Sequence, residues 1–261
     1  AIMTKVGIYA LLRFGSLLLP TGAPAAFGGE WMFPVGLLTL LFGTVGLLAT
    51  QQIGRLAGYC IIISSGTLLA ALGMPGVTLT GPALFYLISS VLALGAFFML
   101  IEMVERTQTF GADLLAVSQE AFDLDDPEPP DHSDEVIGVA IPAALAFLGL
   151  AFICCAVLII GLPPLSGFVA KFSLLAAALD MSSTGMPSFN AWLLVIAVLA
   201  SSMAGVVSLG RTGIRIFWSS EDTITPRLHI SEAAPVAALL MACAALAIWA
   251  GPASNYLNDA A

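Results

Sequence analysis

Apolar stretches alternate with short polar or turn-rich breaks along this chain. Several of the stretches reach the roughly 18–20 residues that a helix needs to cross a hydrocarbon core. Seven crossings are expected, at about 2–19, 32–50, 56–73, 82–104, 136–179, 189–212 and 233–251. Turn residues punctuate them at Pro20-Thr21-Gly22, Met74-Pro75-Gly76 and Gly185-Met186-Pro187. The pattern predicts an all-α polytopic transmembrane helix bundle, a single domain over 1–261, with a polar loop at 105–135. The second half of that loop, "DLDDPEPPDHSDE", is acidic and proline-rich and reads as solvated. Its first half, "GADLLAVSQEAF", could form a short surface helix.

The fifth segment does not fit one simple span. A straight helix over 136–179 would measure about 66 Å, twice the roughly 30 Å hydrocarbon core. It is either two crossings or one crossing that is broken. Arginine positions separate the two. With one broken crossing, Arg55, Arg106, Arg211, Arg215 and Arg227 share one side of the membrane; with two, they split two against three. The positive-inside rule favours the broken helix and makes the arginine side, with loop 105–135, cytoplasmic. The break is expected at 161–167, "GLPPLSG", where Gly161, Pro163, Pro164 and Gly167 cluster.

Composition agrees with a membrane protein. Hydrophobic residues are 59% of the chain and charged residues 10%, against about 25% charge in soluble domains. The net charge of −9 says little about partners, because ten of the 17 acids lie between Glu105 and Glu135. The eight basic residues are dispersed, so no nucleic-acid footprint is present. Cys60, Cys154, Cys155 and Cys243 lie in apolar segments without metal-type spacing and read as packing residues. No metal site or cofactor motif is expected. The first segment carries Lys5 close to its start, which suits a chain cut inside a transmembrane helix. A signal peptide ending at "APA" (23–25) is the rival, and Arg13 inside the apolar run argues against it.

The candidate chemistry lies in the rare intramembrane charges. The chain has two lysines, Lys5 and Lys171, and both sit in apolar segments. A charge at the bilayer centre costs at least about 2.5–3.5 kcal/mol, so such residues are functional candidates by default. Snorkelling to an interface is the alternative for each. Beside Lys171, Pro163 and Pro164 lack N–H groups, so the carbonyls of Ile159 and Ile160 lose their helical donors. Freed carbonyls in a membrane need protein or a water-filled cavity to satisfy them, and broken helices of this kind mark ion sites in transporters. The expectation is a polar pocket with a lysine beside it that can lose and regain a proton. Arg13 lies two turns beyond Lys5 and could face the same interior. Tyr59, Ser64, Ser65 and Thr67 put hydroxyls along the third helix and could carry water, or could pack between helices. Glu102 is a weaker candidate, as a point where ions enter or as an interfacial charge.

At "TKVGIYALLRF" (4–14) and "GLPPLSGFVAKF" (161–172) the chain resembles the antiporter-like proton-translocating subunits. That family includes the large subunits of Mrp/Pha-type cation/proton antiporters and three membrane subunits of respiratory complex I. "GRLAGYCIIISSG" (54–66), the acidic loop and "GRTGIRIFW" (210–218) look most like the D-type members of the multisubunit Mrp/Pha antiporters. The resemblance implies the C-terminal half of a fourteen-helix fold with inverted repeats, each holding one discontinuous helix. It matches Lys5 to the family's central-axis lysine and Lys171 to the ionisable residue of the broken helix. Where many members carry a membrane histidine, this chain has serines around Ser64. The implied function is proton translocation within a membrane hetero-oligomer that exchanges H⁺ for Na⁺ or K⁺ across a bacterial inner membrane. Two alternatives stand beside it: a proton-pumping subunit of NADH-quinone oxidoreductase, and a non-transporting membrane scaffold with fixed lysines.

Overall fold

The computed structural model describes residues 2–18, 29–74, 79–122, 143–180, 189–217 and 230–259. These residues form α1 (Ile2–Leu18), α2 (Gly29–Ala49), α3 (Ile53–Leu72), α4 (Thr80–Phe122), α5 (Ala143–Ile160), α6 (Ser166–Asp180), α7 (Phe189–Phe217), α8 (Ile230–Ile248) and α9 (Ala250–Asp259). Arg227, His132, His229, the acidic run 123–135 and the turns expected at 20–22 and 185–187 lie outside the described residues.

Apolar helices associate in lipid by close packing, not by expelling water. α2 and α3 show this. A Cβ added to Gly66 would lie 2.6 Å from the Leu40 backbone nitrogen, and Gly36 and Gly73 lie equally close to the backbones at Ala70 and Phe33. Hydroxyls inside α2 are satisfied within the helix: Thr39 donates to the Val35 carbonyl at 2.7 Å and Thr44 to that of Leu40 at 2.8 Å. α7 is amphipathic in the membrane sense. Ser201, Ser208 and Thr212 are buried, while Trp192, Ile196, Leu199, Met203, Val207 and Ile214 point outward. Four stretches are long and apolar enough to cross a membrane alone: Trp31–Ala49, Ile53–Leu72, Thr80–Arg106 and Phe189–Phe217.

α5 and α6 form one interrupted traverse beside α7. Gly149 approaches Phe217, Gly213 approaches Phe152, and Gly205 approaches Ile160. Further along, Lys171 bonds Ser202, and Ala178 shares a cluster with Ala191 and Leu194. The pairing runs antiparallel without doubling back, as a single broken crossing requires. Arg211 donates to the Leu48 and Thr50 carbonyls at 3.0 and 3.4 Å, and Arg215 donates to Gln51. Arg55, Arg215 and Glu105 line one opening of about 710 Å³. These arginines therefore gather at one end of the bundle.

Two expectations need correction. The polar loop at 105–135 begins later, because 105–122 continues α4 without a break. No proline interrupts that stretch, so the helix runs on, and a separate surface helix is not formed. The crossing expected at 233–251 is bent by 79° between Glu232–Ile248 and Ala250–Leu257. Pro252 has no N–H to offer the Ile248 carbonyl, while Ala253 N–H still reaches the Trp249 carbonyl at 3.0 Å.

The core is layered. Leu47, Leu56, Phe97, Leu100, Phe152 and Leu209 pack together towards the arginine end. Phe33, Leu40, Phe85, Leu174 and Leu194 pack at the other. Buried polar residues lie between these clusters, and the candidate site is built there.

Candidate functional site

α5 ends in a way that explains the position of Lys171. Its last four carbonyls have no helical donors to continue to. Gly161 turns into the left-handed region, φ 79°, which a residue with a Cβ rarely adopts. From that turn the N–H groups of Gly161 and Leu162 both reach the Val157 carbonyl, at 2.9 and 3.0 Å. Gly167, in the first turn of α6, passes so close to the Leu158 carbonyl oxygen that a Cβ would collide with it. The carbonyls of Ile159 and Ile160 remain. Their helical donors would be the nitrogens of Pro163 and Pro164, which carry no hydrogen.

Lys171 takes those two carbonyls. From α6 its Nζ donates to Ile160 O at 2.7 Å and Ile159 O at 3.2 Å, and to Ser202 Oγ of α7 at 3.0 Å. Three N–H donors meet three acceptors, which is the complement of an ammonium group. The negative end of the α5 dipole favours the same charge. The lysine stem is held by the break itself: a Cβ on Gly161 would lie 2.7 Å from Lys171 Cδ.

Lys5 sits in a separate niche. It is 2% exposed, on the inward stripe of α1 with Ile8 and Leu12. Its Nζ donates to Ser64 Oγ of α3 at 2.5 Å. Ser64 lies near the middle of α3, and Ser202 near the middle of α7. Each ammonium group therefore meets its partner helix away from that helix's ends.

A cavity of about 40 Å³ lies beside Lys171 and reaches Ser64, the partner of Lys5, which is room for a few water molecules. Its wall includes Ser64, Lys171, Cys60, Tyr86, Ser89 and Ser201. Ser89 Oγ also donates to Ser166 Oγ at 3.1 Å, joining α4 to the first turn of α6. Sequence reasoning missed Tyr86, Ser89, Ser166, Ser201 and Ser202. A signal for four of the five was present: three Ser-Ser pairs, 64–65, 89–90 and 201–202, and Ser166 punctuate otherwise apolar helices. Each of the pairs contributes to this polar layer.

Other candidates lie elsewhere. Arg13 is exposed, because eight residues at 100° each turn it well away from Lys5, and Leu12 takes the inward position. Tyr59 faces α2, where its ring meets Phe42 edge-on at 6.4 Å and fills the space left by Gly46. Ser65 points away from the cavity, and its buried hydroxyl has no hydrogen-bond partner among the described residues. Thr67 donates to the Ile63 carbonyl at 2.8 Å. Glu102 is 65% exposed and pairs with Arg106 at 2.6 Å, and Arg106 also holds Glu232 at 3.0 Å. The acid at the opening beside Arg55 and Arg215 is Glu105 instead.

Residues 1–122 match the family described as NADH:quinone oxidoreductase/Mrp antiporter, TM. Over its full length the chain is 47% identical to the D component of a probable K(+)/H(+) antiporter of Rhizobium meliloti (strain 1021), covering 49% of that protein. Over 87% of its length it is 29% identical to the D component of the Na(+)/H(+) antiporter of Bacillus subtilis (strain 168), covering 39% of it. In fold it resembles a chain of the Mrp complex from Dietzia sp. DQ12-45-1b, with a TM-score of 0.62 at 20% identity, over 98% of this chain and 51% of that one. The chain thus spans about half the length of the relatives it matches.

Proposed function

Because the chain belongs to the antiporter-like family that Mrp antiporters share with NADH:quinone oxidoreductase membrane subunits, we propose that it translocates protons in a multisubunit monovalent cation/proton antiporter. The cation is K⁺ or Na⁺, and K⁺ comes first because it is named for the 47% identical relative. The assembly is a hetero-oligomer in a bacterial inner membrane, with the arginine end cytoplasmic. Lys5 and Lys171 relay the proton, and Glu102 and Glu105 stand at the end where it exchanges with solution.

One observation carries the reading. Lys171 Nζ rests on the Ile159 and Ile160 carbonyls, at the wall of a cavity that also reaches the Ser64 hydroxyl under Lys5. As an ammonium, Lys171 uses all three N–H groups there. When it loses a proton, one acceptor goes unpaired and the nitrogen gains a lone pair that can accept from cavity water. The helix break thus gives the group two different sets of partners in its two protonation states.

The same contacts suit a fixed capping lysine with no relay role. Substitution separates the two. Arginine can supply N–H groups to both carbonyls but does not release its proton at ordinary pH. Lys171→Arg is expected to assemble with its partner subunits and to lose cation-driven proton exchange in everted membrane vesicles. Lys171→Ala is expected to lose exchange as well, and to weaken assembly, since an unsatisfied buried carbonyl costs about 1–3 kcal/mol. An assembled Lys171→Arg complex that exchanges at the wild-type rate overturns the relay and leaves the cap.

A further inference from the structure

α5 and α7 do not close on each other along the whole of their shared length. Between them runs an apolar groove of about 280 Å³. Buried Phe152, Ile160 and Leu209 form its floor, and exposed Ile153, Val206 and Ile214 form its rim, so it opens sideways, towards the membrane. Three glycines line it, and they differ. A Cβ on Gly213 would lie 2.7 Å from the Phe152 ring, and one on Gly149 3.8 Å from that of Phe217, so both serve close packing. A Cβ on Gly210 would meet nothing within 4 Å. Glycine weakens a helix relative to alanine, and at Gly210 no close approach among the described residues offsets that. What Gly210 leaves is open space in the groove.

Depth and charge say what fills it. The groove runs from Gly149 to Ile160 on α5 and from Phe217 to Val206 on α7. Eleven helical steps measure about 16 Å, about half of the roughly 30 Å hydrocarbon core. It begins at the arginine end and stops at the helix break, where Gly205 closes on Ile160. That is the reach of one leaflet. At its outer end Arg211 and Arg215 follow Gly210 and Ile214 directly in α7. Arg211 is exposed and, among the described residues, commits only Nη2 to carbonyls, of Leu48 and Thr50. A guanidinium has five N–H donors, so others remain for an anion. An apolar groove left empty in hydrocarbon forfeits the dispersion contacts of its walls, and its lining offers water no side-chain partner. We propose that the groove holds an acyl chain of an anionic phospholipid from the leaflet at the arginine end, with the phosphate drawn to Arg211. The end of the chain rests against Ile160, whose carbonyl accepts from Lys171 at 2.7 Å. The lipid thus braces the last turn of α5 from the membrane side. This site does not depend on the proton reading above.

The test uses the complete antiporter complex, reconstituted in vesicles that contain phosphatidylglycerol with a photoactivated diazirine on its acyl chain. Labelled peptides are quantified by mass spectrometry after irradiation. The groove residues of α5 and α7 are expected to label well above Trp192, Ile196 and Leu199, which are exposed on α7 outside the groove. Gly210→Leu puts a side chain into the open space and should cut groove labelling about tenfold or more, with labelling at Trp192, Ile196 and Leu199 unchanged, because a filled site excludes the chain. If Gly210→Leu does not assemble, Val206→Trp fills the groove from its rim and should do the same. Unlabelled phosphatidylglycerol should displace the probe about tenfold better than phosphatidylcholine. Equal labelling inside and outside the groove, or groove labelling that survives both variants, means that lipid only coats the surface there and overturns the proposal. A Gly210→Cys complex that a short bifunctional reagent ties to a partner subunit overturns it too, since the groove is then a subunit contact. Equal displacement by the two lipids overturns the choice of an anionic headgroup.

Discussion

Gly161 is where the backbone and the chemistry of this protein meet, and Gly161→Ala tests both. Its φ of 79° is in the left-handed region, where a non-glycine residue costs roughly 1–2 kcal/mol. The added Cβ would lie 2.7 Å from Lys171 Cδ and 3.3 Å from its Cε. A lysine stem can yield, but Nζ then leaves at least one of its three acceptors. A hydrogen bond to a charged group is worth about 1.5–3 kcal/mol. If the proton is handed over only from the seated position, that loss slows exchange about 10- to 100-fold. The backbone strain alone is small enough that the complex should still assemble. The assay is cation-driven proton exchange in everted vesicles, normalised to assembled complex on a native gel. Gly167→Ala is the contrasting arm. Its Cβ meets the Leu158 backbone carbonyl, which cannot swing aside, so it should reduce assembly itself. A Gly161→Ala complex that assembles and exchanges at the wild-type rate would refute the argument that the seat of Lys171 matters.

Three further expectations follow from the hydroxyls and from the packing. Ser64→Ala should slow exchange less than loss of either lysine, since water can replace most of a hydroxyl's hydrogen bonding. Ser65→Ala should leave the rate unchanged and raise the melting temperature of the purified complex, because it removes a buried hydroxyl without a partner among the described residues. A slow Ser65→Ala variant would place the path on the wrong face of α3. Gly66→Ala drives a Cβ to 2.6 Å from the Leu40 nitrogen, and overpacking of that kind costs about 1–3 kcal/mol. It should lower the yield of assembled complex without changing exchange per assembled molecule, and a normal yield with a normal melting point would contradict the close α2–α3 contact.

The helices were legible in the sequence because each is fixed locally. The length of an apolar run sets whether a helix can span, and the α2, α3 and α7 segments began and ended close to where their patterns did. The two proline nitrogens alone named Ile159 and Ile160 as carbonyls without helical donors, since that follows from covalent structure and the four-residue helical step. Which group would satisfy them did not follow. Lys171 was visible as a charge near the break, but Ser202 comes from a helix 31 residues further on. The bend between α8 and α9 also had a local cause, Pro252, which a reading by hydropathy alone passes over. The facing of each helix was the least legible. Arg13 and Lys5, or Ser64 and Ser65, look alike in a linear pattern, yet neighbouring residues are rotated by 100° and face different partners. In a soluble helix, polarity marks the outward face; here every face of α3 and α4 is largely apolar, so periodicity carries little information on rotation. Only packing resolved it, through glycines that let α2 close on α3 and through α4 bringing Tyr86 and Ser89 to the cavity beside Lys171. A proton path requires groups within hydrogen-bond distance, and the bond from Lys5 to Ser64 joins α1 to α3 across 59 positions. No local rule places such groups together; the packing of the helices does.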